Sequence, residues 1–259
     1  MIYEPYYTIE FSAAACYFEI LINDIPVISM ETTGQVSTNI PINYAIYKSG
    51  EQLITATIKA ISGQQDLNSE AALRFNVRLM DVANNEFKHV NDFAETIFEK
   101  VGKDQKTPSL TIASAFVAEI PYTLTKWNDG ENLNDVEKLG EKLIAQYNNL
   151  AELLESEKYS EFIDKIKTRE RNMATSMYLS ASESKDRIDS LIEEAKNGFK
   201  VMPLPADTTL KFYGYGKLVT LKKSNGEPAF YLFNKETKEE LMLEQMFYVP
   251  KGKTELEII

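Results

Sequence analysis

Apolar and polar side chains alternate through most of the first 125 positions. In "LRFNVRLM", Phe75, Val77 and Leu79 interleave with Arg74, Asn76 and Arg78. A period of two puts the apolar groups on one face of a strand and the cations on the other. "QLITATIKAI" repeats the pattern, with Ile54, Ala56 and Ile58 set against Thr55, Thr57 and Lys59. "PSLTIASAFVAEIPY" is rich in small and β-branched residues between Pro108 and Pro121, and it too predicts a strand. "YYTIEF" and "ACYFEILI" predict two more near the start. Turn residues separate these runs: Asn23-Asp24, Thr33-Gly34, Ser49-Gly50, Ser62-Gly63 and Asn84-Asn85. Asn-Asp tolerates the positive φ of a two-residue hairpin turn. Pro26 then falls at the start of the next strand, where a missing N–H is harmless. Short strands at this spacing, with no helical period between them, predict an antiparallel sandwich or barrel over residues 1–127, and the β-sandwich is the expected form.

The period changes after "WNDGEN". From Leu133 on, Val136, Leu139, Leu143, Ile144, Tyr147, Leu150 and Leu154 recur at three- and four-residue spacings, which predicts an amphipathic helix capped by Asn132 or Asn134. Tyr159, Phe162, Ile163, Ile166, Met173 and Met177 continue the period, and "SASESKDRIDSLIEEAKNG" opens on a Ser/Glu cap and stops at Asn197-Gly198. About three helices over 128–200 follow, with narrow apolar stripes suited to core packing. Over 201–259 the alternation returns. "KFYGYGKLVTLKK", "EPAFYLFNK" and "EELMLEQMFYVPKG" read as an antiparallel β-meander packed on the helices, with "TELEII" as a last short strand. Gly214 and Gly216 read as bulge or close-approach positions. The predicted fold class is therefore α+β, in three segments: sandwich, helices, meander.

Charge narrows the partners. The 259 residues carry a net charge of −11, with 15 acids against 9 bases in 1–127, 16 against 11 in 128–200, and 8 against 8 in the rest. Nucleic-acid binding needs clustered cations, so this distribution opposes it, and it disfavours an anionic membrane surface as well. A basic protein partner would be steered in. No run of about 18 apolar residues predicts a membrane span. "MIYEPYYTIEF" does not read as a secretory signal, so a cytoplasmic location is expected, or a periplasmic one if a signal has been removed.

Reactive groups are sparse. The chain has one cysteine, Cys16, which excludes an intramolecular disulfide, and one histidine, His89. Cys16 among "AAACYFEIL" reads as a buried structural thiol, and His89 as a solvent-exposed or capping residue. One of each argues against a zinc site, and no nucleophile elbow, Rossmann or Walker glycine pattern is present. Asp24, Asp81 and Glu119, at strand ends, are the carboxylates to consider for hydrolysis, although each also suits a turn or rim. "DVANNEFKHVND" lacks the spacing of a calcium loop. No cofactor is expected. Aromatic residues are the other candidates. Trp127 lies at the segment junction, and Tyr213, Tyr215, Tyr231 and Tyr248 lie in the meander, where one aromatic face could bind a protein.

Two resemblances add to this reading. The order strand, Asn-Asp, strand, proline-bearing corner, Ser-Gly turn and strand over residues 16–60 resembles jelly-roll modules of glycosidases and surface proteins, with Asp24 where that pattern usually has glycine. It implies a sandwich. The succession of "CYFEILINDIPV", "TNIPIN", a Glu/Lys-rich helical insert and "YGKLVTLKKSNGEPAFYLF" resembles proteins encoded beside effectors of bacterial type VI secretion. Many of those are immunity proteins that bind and block a toxin. The expected function is accordingly non-enzymatic: neutralisation of a basic toxin by occlusion. The alternative is a glycan-binding or secretion-associated surface protein.

Overall fold

The structure is a computed structural model, and it describes residues 4–93, 95–98, 106–125 and 127–259. The chain divides into two compact units, Met1–Leu124 and Thr125–Ile259. The class is α+β, with antiparallel sheets at both ends of the sequence and, among the described residues, three α-helices between them.

The first unit is organised by one long hairpin. Its strands are β1 (Pro5–Ile22) and β2 (Ile25–Pro41), joined at Asn23 and Asp24 with φ of 52° and 62°. The Asn-Asp turn expected from sequence is therefore present. Its tip is anchored, because the Asn23 side chain donates to the Ala45 carbonyl at 3.0 Å and to Gln52 at 2.7 Å. Three more long strands are β3 (Gly50–Lys59), β4 (Ala72–Asp81) and β7 (Ser109–Ala118), with the shorter β5 (Lys88–Asp92) and β6 (Thr96–Ile97) between the last two. "YYTIEF" and "ACYFEILI" are not two strands but the two halves of β1. The first half pairs with β4 and the second with β3, while β2 follows both.

Ala15 explains the difference. Its φ is 46°, and it sits in a bulge where the β1–β2 register slips between Ala14 and Cys16. Thr33 and Gly34 lie opposite, so that turn signal marks a bend in both strands and not a chain reversal. The bulge also switches parity. Tyr7, Ile9, Phe11 and Ala13 are buried before it, and Cys16, Phe18, Ile20 and Ile22 after it. Both halves thus turn apolar faces to one core, and Phe11 meets Phe18 across the bend with ring centroids 5.3 Å apart. Tyr7, on the first half, touches Phe116 of β7 at 5.7 Å, although β7 joins the sheet only through β3 and the second half. The two halves therefore form facing layers that share a bent hairpin.

The second unit carries α1 (Leu139–Glu155), α2 (Tyr159–Ser176) and α3 (Ala181–Lys196). Ser180 and Glu183 form a reciprocal capping box at the start of α3, and Gly198 closes it with φ 95°. Asn132 does accept from the Asn134 N–H, but it caps only a single 3₁₀ turn. α1 starts seven residues later, after Lys138 at φ 54°. The C-terminal strands form two small sheets in place of one meander. β9 (Thr209–Tyr213), β10 (Leu218–Lys222), β13 (Phe247–Tyr248) and β14 (Glu257–Ile258) run in the order β14-β13-β10-β9. β8 (Phe199–Val201), β11 (Tyr231–Asn234) and β12 (Glu240–Met242) make the other. Helices and sheets share one core, in which Tyr147 of α1 packs on Phe230 and Phe247 at 5.7 and 5.1 Å.

Candidate functional site

β9 ends its sheet, so one of its edges carries no strand among the described residues. Opposite Leu210 and Phe212 on β10 stand Leu221 and Val219, which are 2% and 0% exposed. Leu210 and Phe212 extend that core face to the margin, where cover runs out and they are 37% and 42% exposed. The first turn of α1 borders them: a Cβ on Gly140 would lie 3.7 Å from Leu210 Cδ1. One turn on, Ile144 is 45% exposed, although its spacing had placed it on the core stripe.

Just beyond β9, Gly214, Tyr215 and Gly216 have φ of 59°, 57° and 81°. Three successive left-handed residues turn the chain sharply and leave the Tyr215 ring 62% exposed. Gly214 is required for a second reason, because a Cβ there would come 2.8 Å from Trp127 Cζ3. The 3₁₀ turn neighbours this corner, with Asn134 Nδ2 3.4 Å and Asn132 Oδ1 3.5 Å from where a Gly216 Cβ would stand. Residues 129–141 of this stretch carry Asp129, Glu131, Asp135, Glu137 and Glu141 against Lys138 alone. All of these acids but the half-buried Glu131 are exposed. An apolar margin thus lies beside an acidic loop.

The five aromatic candidates separate by burial. Tyr215 is exposed in the turn that follows β9. Trp127, Tyr213 and Tyr248 are each 7% exposed and taken up by packing: Trp127 on Gly214, and Tyr248 on Gly130, whose Cβ would meet Tyr248 Cδ2 at 3.2 Å. Those three rings have almost no surface to offer a partner. Tyr231 is half-buried, with the Lys223 ammonium 4.0 Å from its ring centroid. Leu210 and Ile144 were missed from sequence. The alternation in "TLKFY" could have paired Leu210 with Phe212, but nothing local marks which strand of a sheet lies outermost.

The carboxylates form ion pairs and turns. Asp24 is a turn residue, and Asp81 accepts from the Glu4 and Ala83 amides. At Glu119 it is the backbone that is engaged, its N–H donating to the Tyr7 hydroxyl at 2.9 Å. A groove of about 360 Å³ in the first unit gathers Glu10, Arg74, Arg78, Asp92 and Glu95. Arg78 bridges Glu10 at 2.9 Å and Asp92 at 2.8 Å, and its hydrogen bond holds the Asp92 carboxyl below the usual range. Glycoside hydrolysis needs one carboxyl raised, so this pairing has the wrong sign for a general acid. His89 is exposed and lies 3.3 Å from Asp92. Cys16 is fully buried, and burial pushes its thiol up, away from the reactive thiolate. No cluster of three or more metal-ligating side chains occurs among the described residues.

In the second unit a chain of charges runs inward from α3. Arg187 reaches buried Glu170 at 2.8 Å, Glu170 pairs with Arg169 at 2.5 Å, and Lys222 pairs with Glu244. Thr220 donates to Glu244 at 2.7 Å and meets the Tyr147 hydroxyl at 3.1 Å. Burial lowers Arg169 and pushes the Tyr147 hydroxyl well above the ordinary phenol range. Each cation has a carboxylate, so the cluster reads as a satisfied internal network.

No helix among the described residues is long and apolar enough to cross a membrane. Comparisons with known protein families, with curated proteins and with solved structures find no match for this chain.

Proposed function

We propose that this protein is a non-enzymatic binding protein that neutralises a basic bacterial toxin by occluding it, as an immunity protein does. One observation carries the reading. Leu210 and Phe212 stand exposed on an open sheet edge, with Tyr215 exposed in the turn that follows, beside an acidic loop. Aromatic and aliphatic anchors inside a charged rim are what a protein interface requires. The net charge of −11 supports a cationic partner, because an acidic binder captures a basic protein quickly. It works against nucleic acid as the partner. A nuclease or nucleotide-directed toxin fits a cytoplasmic location, and a cell-wall or lipid hydrolase a periplasmic one.

The test is co-expression with the toxin encoded beside this chain. Rescue of growth and a one-to-one complex on size exclusion are expected. Continued toxicity with no complex would overturn the proposal.

A further inference from the structure

Resting on the reading above, we infer that the partner is held by strand addition: an extended segment, apolar on one side and basic at its N-terminal end, pairs antiparallel with β9.

Several edges are open among the described residues, ten-residue β7 included, which also has one strand neighbour and no proline; β9 is the edge that sets exposed Leu210 and Phe212 beside the acidic 129–141 stretch. β2 is long, but its outer stretch from Glu31 to Asn39 is mostly exposed and polar, it carries Pro26 and Pro41, and it bends at Thr33-Gly34. These are the features by which edge strands avoid pairing. β14, at the far end of the β9 sheet, is two residues long. β9 has five residues, one strand neighbour and no proline. Alternate residues of an edge strand point N–H and C=O outward, ready to pair.

Side-chain direction sets the composition of the incoming strand. Residues opposite Leu210 and Phe212 would face the margin of the core beside Gly140 and Ile144, so they must be apolar. Those between them would share the face of Thr209 and exposed Lys211, which suits polar groups. Antiparallel pairing, the mode of every strand pair in this unit, places the start of the incoming segment beside Tyr213 and Gly214. That end adjoins the 129–137 loop with Asp129, Glu131, Asp135 and Glu137. Lys or Arg there would meet opposite charge, and Tyr215 would cover the junction.

The probe is a synthetic ten-residue peptide with two leading arginines followed by alternating valine and threonine. Binding is read from amide shifts and hydrogen exchange in the full-length protein, and from the fluorescence of Trp127, which lies against Gly214. Shifts and slowed exchange at Thr209–Phe212 are expected, with affinity falling as salt rises. N-methylation of alternate peptide amides should weaken binding about tenfold or more, since it removes the ladder but keeps the side chains. Leading glutamates should weaken it by a similar factor. F212D, in a side chain already half exposed, should abolish binding while the rest of the amide spectrum is retained. Equal binding by the N-methylated peptide, or shifts confined to other edges, would overturn strand addition. So would self-association through β9 in place of peptide binding. None of these results bears on growth rescue, so the neutralisation reading fails or survives on its own experiment.

Discussion

Gly214 has no room for a methyl group. Its φ of 59° is costly for an L side chain, and Trp127 stands 2.8 Å from the missing Cβ. We expect G214A to cost about 2 kcal/mol or more, read as a lower midpoint in urea unfolding, with a change in Trp127 fluorescence in the folded state. Glu170 is a second such position. It is 6% exposed and held by Arg169 and Arg187, so E170A strands a buried guanidinium. A loss of about 3–5 kcal/mol is expected, again from urea unfolding. Gln245 makes the contrast. It is 1% exposed, and neither amide atom of its side chain has a protein partner in the structure. Replacing an unpaired buried amide with an apolar group of similar shape removes a desolvation cost. Q245M should therefore unfold at an equal or higher temperature, and a loss above about 1 kcal/mol would contradict the unpaired state.

The decisive element is the β1–β2 hairpin. Its bend depends on Ala15 at φ 46°, a region glycine occupies freely and β-branched residues resist. A15G should be neutral or stabilising, whereas A15V should cost about 1–2 kcal/mol, measured by thermal melting. The same element shows what alternation conveys. Buried apolar positions run odd through Ala13 and even from Cys16, and that change of phase is visible in "YYTIEFSAAACYFEILI". Read locally, a phase change is a boundary between two strands. Only the pairing of β4 and β3 along one continuous strand identifies it as a bulge. α1 behaves similarly. Asn132 was legible as a cap, but Lys138 and the 3₁₀ turn delay the helix, because Leu133 is needed in the core before it begins.

For the molecule as a whole, charge and exposed anchors act together. Association with a basic partner should slow as salt rises, because Debye screening shortens the reach of the field. Stopped-flow rates from low to physiological ionic strength would show this, and a salt-independent rate would contradict steering. L210D should weaken the complex about tenfold or more with little change in melting temperature, since the side chain is more than a third exposed. The corresponding W127F change should do the reverse, lowering stability while leaving the binding face in place.

Strand alternation, helical stripes, the Asn23-Asp24 turn, the Asn197-Gly198 stop and the acidic balance follow from the sequence by itself, because each depends on residues a few positions apart. Which aromatic rings remain available does not. Trp127, Tyr213 and Tyr248 are covered, while Leu210, Phe212 and Ile144 are exposed, because cover comes from chain segments distant in sequence. Hydrophobicity makes a side chain seek burial. Whether it finds any depends on whether its strand lies inside the sheet or at its margin, and tertiary pairing alone decides that.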